Sequence, residues 1–91
     1  MAKYRKRPLI VDAEQFFVDR KPWPAGVKSV EVQLKDTDPQ QYVFEPIVET
    51  LEGPLMVSDG DWIITGVKGE KYPVKPDVFD ATYEPLVETD G

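Results

Sequence analysis

Apolar and polar residues alternate along several short stretches of the chain, which is the period-two pattern of half-buried β-strands. Two such stretches cover residues 9–17 and 30–35. Between them, residues 18–29 hold two prolines and a glycine around Trp23. This composition breaks both helix and strand, and it predicts a loop that the tryptophan anchors to the body of the domain.

Shorter strands are predicted in the second half of the chain. A β-prone run over residues 42–44 is stopped by Pro46, and the pattern resumes over 47–51. Gly60 lies between the runs 55–57 and 62–67, where a tight hairpin turn needs the positive φ that glycine supplies. These runs are spaced as in an antiparallel meander.

The last predicted hairpin turns at Lys68-Gly69, read as a two-residue connection. That register would place Thr65 opposite Tyr72. Because proline lacks the N–H that a central strand would use, Pro73 is expected on a sheet edge. The apolar run that begins at Trp62 predicts that this tryptophan is a core residue.

After the last strand, Lys75-Pro76-Asp77 resembles a helix start, with proline and an acid in the first turn. Either a short helix or a helical turn leading into a final strand from Ala81 fits residues 76–86. The predicted fold is mainly β, in the β-rich α+β class: a small curled antiparallel sheet or partly open barrel with one short C-terminal helical turn.

Length and charge refine this picture. Ninety-one residues fit one domain, taken as 1–91, with a basic arm over 1–7 and an acidic tail over 87–91 that is expected to fray. The net charge is −6, yet the first seven residues carry +4 and the remainder carries −10. No run is apolar enough for a signal peptide or membrane span. The body of the domain should therefore repel nucleic acid, and only the arm should attract it.

Composition excludes several kinds of catalytic chemistry. With neither cysteine nor histidine, the chain has no thiolate nucleophile, no zinc–thiolate site and no imidazole base. The aspartates that flank Gly60 and Thr37 do not continue into a calcium loop, and aspartate in turns more often caps its own backbone. We therefore expect no enzyme activity, no cofactor and no metal.

Two groups of residues remain as candidate binding sites. The first group contains three lysines near the last hairpin that could converge on a small anion: Lys68, Lys71 and Lys75. It also contains Tyr72 and Trp23, which lie next to prolines and are the aromatic residues expected to be most exposed. The arm combines positive charge with an aromatic ring, as nucleic-acid contacts do, through Lys3, Tyr4, Arg5, Lys6 and Arg7. It is equally an ordinary solvated charge run.

Both ends of the chain resemble a family of small tailed-bacteriophage proteins of unknown function. The resemblance covers about half of the chain and rests on the opening KYRKRP, the turn Leu51-Glu52-Gly53, the run GDWIITGVKGE over 60–70, and the later Tyr72-Pro73, Lys75-Pro76-Asp77, Phe79 and Thr82-Tyr83. Members often carry cysteine where this chain has Val74, so no thiol role applies here. The resemblance implies a phage accessory protein in the cytoplasm of a bacterial host, and it implies no activity.

Three functions remain open at this point. The first is a non-catalytic protein that binds a host protein and modulates host metabolism or defence. The second is a binder of a small anionic ligand such as a nucleotide signal, and the third is a minor nucleic-acid-binding factor that uses the arm. The sequence does not identify the host, the partner or the oligomeric state.

Overall fold

The computed structural model describes residues 1–5 and 7–87. Its strands form two three-stranded antiparallel sheets, which we call sheet A (β1-β5-β6) and sheet B (β2-β3-β4). The elements are β1 Asp12–Gln15, β2 Val27–Gln33, β3 Tyr42–Thr50, β4 Gly53–Met56, β5 Trp62–Thr65, β6 Lys71–Val74 and α1 Pro76–Thr82. The predicted β-rich fold with a short C-terminal helix is confirmed, and across the described residues the sheets do not close into a barrel.

The core lies between the two sheets. Phe16, which follows β1, and Ile63 on β5 pack against Val48 on β3 and Val57, which follows β4, and all four are almost fully buried. Trp23 packs against the edge of this cluster, with its ring 5.3 Å from that of Phe16. The loop is therefore anchored by its tryptophan, as predicted, but it ends at residue 26, because residues 27–29 belong to β2.

Helix α1 covers the other face of sheet A. Successive strand residues point to opposite faces, so Trp62 and Ile64 point away from the core that contains Ile63. Trp62 stacks on Phe79 of α1, and Ile64 is fully buried. The segment 76–82 is thus helix and not a final strand. Tyr83 ends the helix in extended conformation.

Pro46 lies inside β3 and does not stop it, so the prediction of two separate runs was wrong. Its carbonyl oxygen accepts the N–H of Val57 at 2.9 Å and therefore points toward the β4 side. Because the N–H and C=O of a strand residue point to the same side, the missing proline N–H faces the end of β4. The pairing of β3 with β2 loses no hydrogen bond there.

The residues around Gly60 do not form the predicted hairpin, because β4 belongs to sheet B and β5 to sheet A. They form a turn that joins the two sheets, with Gly60 at φ 89° as expected. Phe16 holds this turn through two backbone hydrogen bonds of 2.8 Å, one donated by Gly60 and one accepted by Asp61. The positive φ of Gly60 was therefore predicted correctly, but the pairing of β4 with β5 was wrong.

The last hairpin differs from the predicted register by one residue. Thr65 pairs with Lys71 and not with Tyr72. The N–H of Gly66 donates to the carbonyl of Glu70 at 2.8 Å, so the connection is three residues long. Gly69 takes the predicted positive φ, at 81°. Pro73 lies on β6, an edge strand, as expected.

The protein is extended for its size. Its Cα radius of gyration is 16.9 Å, whereas a compact chain of this length has a value of about 12 Å. Its accessible surface is 7825 Å², against about 5,400 Å² for a monomeric protein of this mass. The outer halves of β2 and β3 extend past the end of β4, and the residues before β1 form neither helix nor strand in the described part.

Candidate functional site

The lysines that were predicted to converge on an anion are engaged in separate contacts. Lys71 donates to Thr65 Oγ1 at 2.7 Å, and Lys75 lies 3.3 Å from both carboxylate oxygens of Asp61. Lys68 lies in the turn, where its backbone N–H donates to the carboxylate of Glu70. Since Lys71 and Lys75 are four strand positions apart, their backbones are separated by about 13 Å.

A groove of about 390 Å³ lies where the β5–β6 turn approaches sheet B. Lys71 and Lys28 line it together with Glu49 and Glu70. Lys28 and Glu49 form an ion pair of 3.5 Å. Because the two lysines are balanced by two carboxylates, the groove has no excess of positive charge for an anion.

Lys75, Ser58 and Asp61 form a cluster that the sequence did not reveal. The ammonium of Lys75 lies 3.4 Å from the hydroxyl of Ser58, the pair that serine hydrolases with a lysine base use. Here the same ammonium also pairs with the carboxylate of Asp61. Asp61 is 2% exposed and also accepts the N–H of Ser58 at 2.9 Å. The cluster therefore fixes the turn that joins the two sheets.

Tyr72 belongs to an aromatic cluster under α1. Its hydroxyl lies 3.3 Å from that of Tyr83, whose ring stacks on Phe79 at 5.1 Å. The hydrogen bond to Tyr83, together with burial and the nearby charge of Glu70, raises the pKa of Tyr72 to about 12. Tyr72 is partly buried, so it attaches the helix to sheet A instead of standing free.

Trp23 is engaged on several sides. Its indole N–H donates to the carbonyl of Val18 at 3.1 Å, and the ammonium of Lys21 lies 4.0 Å from the centre of its ring. The edge-to-face contact with Phe16 attaches it to the core. A ring with these contacts offers little surface to a ligand.

The N-terminal arm is exposed. Lys3, Tyr4, Arg5 and Arg7 lie outside the helix and strands, and Lys6 falls outside the described residues. Tyr4 is 93% exposed, and the apolar residues Leu9 and Ile10 that follow the basic run are also exposed. The predicted acidic tail begins at Val87, and its residues 88–91 are outside the described part.

The most exposed aromatic residues on a strand are found elsewhere, at a place that the sequence analysis missed. We call residues 31–45, the outer halves of β2 and β3 with their turn, the distal hairpin. Tyr42 and Phe44 lie on the face that continues inward through Pro46 to the buried Val48, and Phe44 is 73% exposed. The sequence shows the alternation over 42–48, but it also predicts a strand end at Pro46, which β3 does not have.

Hydrogen bonds order the turn of the distal hairpin. The hydroxyl of Thr37 donates to the carbonyl of Leu34 and accepts the N–H of Gln41 at 2.9 Å, and the N–H of Leu34 donates to the carbonyl of Gln41. Asp36 takes a positive φ of 61°, a conformation that aspartate tolerates better than most residues. The aromatic side chains are therefore presented on a regular hairpin.

The distal hairpin is acidic as well as aromatic. It carries four acidic side chains and one lysine, a net charge of −3, from Glu31, Lys35, Asp36, Asp38 and Glu45. Val32 lies on the opposite face from Phe44 and is 40% exposed. The distal hairpin thus exposes both apolar side chains and negative charge.

Comparison with known proteins gives no assignment. No protein-family model matches the chain, and neither the curated proteins nor the solved structures contain a match. Within residues 1–5 and 7–87, no helix has both the length and the apolar character needed to cross a bilayer. The same residues contain no group of three or more acidic side chains placed to hold a metal ion.

Proposed function

We propose that this chain is a non-catalytic protein-binding domain that docks a host protein on the distal hairpin. One observation carries the proposal: Tyr42 and Phe44 lie side by side on an ordered strand with 53% and 73% of their surface exposed. Large aromatic side chains held on a rigid element supply much of the binding energy in protein interfaces, because they bury a large area at a small cost in conformational entropy.

Charge defines the complementary surface. The acidic side chains around these aromatics favour a partner with lysine or arginine residues at the rim of its interface, because complementary charges speed association and select the partner. The apolar centre of the contact would be formed by Phe44 and Tyr42. The proposed partner therefore has an apolar patch bordered by basic residues.

The sequence resemblance to small tailed-bacteriophage proteins supplies the biological part of the proposal. A phage accessory protein would act in the bacterial host's cytoplasm, and its partner would be a host protein of metabolism or defence. The ion pair of Lys75 with Asp61 and the balanced charges of the groove support binding over catalysis. They also favour a protein partner over a nucleotide.

A pull-down from bacterial lysate tests this function. The bait is the full chain, and the test variant carries Tyr42→Ser and Phe44→Ser, which remove the exposed rings without touching the core. A matched control carries Val78→Ser and Leu86→Ser, two exposed apolar positions outside the hairpin. We expect a specific protein that the parent and the control retain and the hairpin variant loses. Retention by all three baits, or by none, would reject the proposal.

A further inference from the structure

We infer that the N-terminal arm of a second copy of this chain binds the distal hairpin, so that two copies exchange their arms. The inference uses the surface of the proposed function, but it does not require a host partner. It rests on two exposed segments of one chain whose charges and apolar side chains complement each other.

The charges of the two segments are opposite. The arm carries Lys3, Arg5, Lys6 and Arg7, a net charge of +4, and the distal hairpin carries −3. Elsewhere the chain is strongly acidic, so the arm is its single concentrated positive segment. Opposite patches of this kind attract over about 10 Å at moderate ionic strength.

The apolar side chains of the two segments are also complementary. In the arm, Leu9 is 58% and Ile10 is 74% exposed. On the hairpin, Phe44, Tyr42 and Val32 are exposed.

The backbone of β2 is a second point of attachment, because within the described part of the chain β2 pairs with β3 alone. The free edge of β2 can accept an added strand, a common mode of peptide binding. Ten residues of arm can span about 33 Å, which exceeds the length of about 24 Å of the seven-residue strand.

The exposed area is large enough for a second copy to be the source of the arm. The chain exposes about 2,400 Å² more than a compact monomer of its mass. A stable interface buries about 800 Å² on each partner. A reciprocal exchange covers both the arm and the hairpin of every copy, and it gives the closed two-fold symmetry that most homodimers have.

Charge reversal with rescue tests the inference on the full chain. The arm variant carries Lys3→Glu, Arg5→Glu and Arg7→Glu, and the hairpin variant carries Glu31→Lys and Asp38→Lys. A control with Asp19→Lys and Glu52→Lys makes the same charge change at exposed acids outside the hairpin. Sedimentation equilibrium measures the dimer dissociation constant of each protein at low salt, and circular dichroism checks that each is folded.

We expect the parent and the control to dimerise, and each single reversal to weaken the dimer at least about tenfold. In a mixture of the arm variant with the hairpin variant, the heterodimer has opposite charges at both of its arm sites, so the mixture should dimerise more tightly than each variant alone. The chain carrying both reversals also has opposite charges at both sites, and it should dimerise more tightly than either single reversal. A parent that stays monomeric, or a dimer that responds to neither reversal, would overturn the inference.

The outcomes separate this inference from the proposed function. A monomeric parent that still captures a host protein through Phe44 refutes arm exchange and keeps the proposed function. A dimer with charge rescue that captures no lysate protein supports arm exchange and rejects the host-binding function. If both hold, reversing the arm charges should increase host-protein capture, because the arm then no longer covers the hairpin.

Discussion

The ring of Trp62 lies on the ring of Phe79, with centroids 4.1 Å apart and planes tilted by only 6°. This stack joins β5 to the only helix among the described residues. Helix α1 has seven residues, too few to be stable alone in water. Its formation therefore depends on this contact and on the neighbouring contact between Tyr72 and Tyr83.

Replacing Trp62 with alanine should detach α1 as well as destabilise the domain. Because the tryptophan is half-buried, and not in the core as its sequence context predicted, we expect a loss of about 2 kcal/mol in unfolding free energy. Urea unfolding measures the loss, and amide exchange of residues 76–82 reports the helix. Val78→Ala on the exposed side of α1 is the control and should change neither. Unchanged protection of the helix in the Trp62 variant would contradict this account.

The raised pKa of Tyr72 makes stability depend on pH in the alkaline range. The unfolded chain releases this proton near pH 10 and the folded chain near pH 12. Between these values the folded state binds more protons, so stability is full below pH 10 and falls as pH rises toward 12. Tyr83→Phe removes the hydrogen bond that is the largest cause. It should lower the Tyr72 pKa, measured by phenolate absorbance, and flatten the alkaline loss of stability.

Gly69 tests the geometry of the last turn. An added β-carbon there meets no atom within 4 Å, so any cost comes from the backbone at φ 81° and not from crowding. We expect Gly69→Val to lose more than about 1 kcal/mol in thermal or urea unfolding. Gly69→Asn should lose clearly less, because asparagine tolerates this conformation. Equal losses in the two variants would mean that the turn strain is not the cause.

Asp61 and Lys75 should contribute very unequally to stability although they form one ion pair. Asp61→Ala removes a side chain that is 2% exposed and leaves the part-buried N–H of Ser58 without its acceptor, and we expect a loss of about 2 kcal/mol. Lys75 keeps 61% of its side-chain surface exposed, so Lys75→Met should cost less than about 1 kcal/mol. Urea unfolding of the two variants decides this, and a larger loss in the lysine variant would contradict the assignment.

The small-ligand alternative predicts a different result. If Lys68, Lys71 and Lys75 bound an anion, phosphate or a nucleotide should raise the melting temperature of the parent but not of a variant with three glutamines. Because these lysines contact Thr65, Asp61 and the turn separately, we expect phosphate and nucleotides to leave the parent unchanged. A concentration-dependent rise in the parent that the variant lacks would restore the nucleotide hypothesis.

Local patterns predicted where the strands lie but not their bounds: the strand predicted over 9–17 is β1, Asp12–Gln15, and the one predicted over 30–35 is β2, Val27–Gln33. The positive φ of Gly60 and Gly69 followed from turn chemistry, and Pro76 indicated the start of α1. The assignment of strands to sheets did not follow, because neighbours in sequence such as β4 and β5 are separated by a turn that changes sheets. That choice is made by long-range contacts around Phe16.

The candidate surface was missed for a similar reason. The sequence predicts a break at Pro46, yet β3 continues through this proline where β4 ends. This continuity places Tyr42 and Phe44 beyond the core. Sequence alternation shows which residues share a face, but it does not show how far the opposing sheet extends. The lysines were predicted to converge because Lys71 and Lys75 are evenly spaced along an extended chain. This spacing does not reveal that the side chain of Lys75 contacts Asp61.

The two hydrogen bonds between Phe16 and the turn at 60–61 have a consequence for the order of folding. Sheet B pairs strands that are neighbours in sequence, so it can form as soon as residue 56 is available. Strand β1 must wait for β5, about fifty residues later, and closing that loop is slow. During synthesis from the N-terminus, the first strand would therefore leave the ribosome early and pair last, after sheet B has already formed the surface against which it packs.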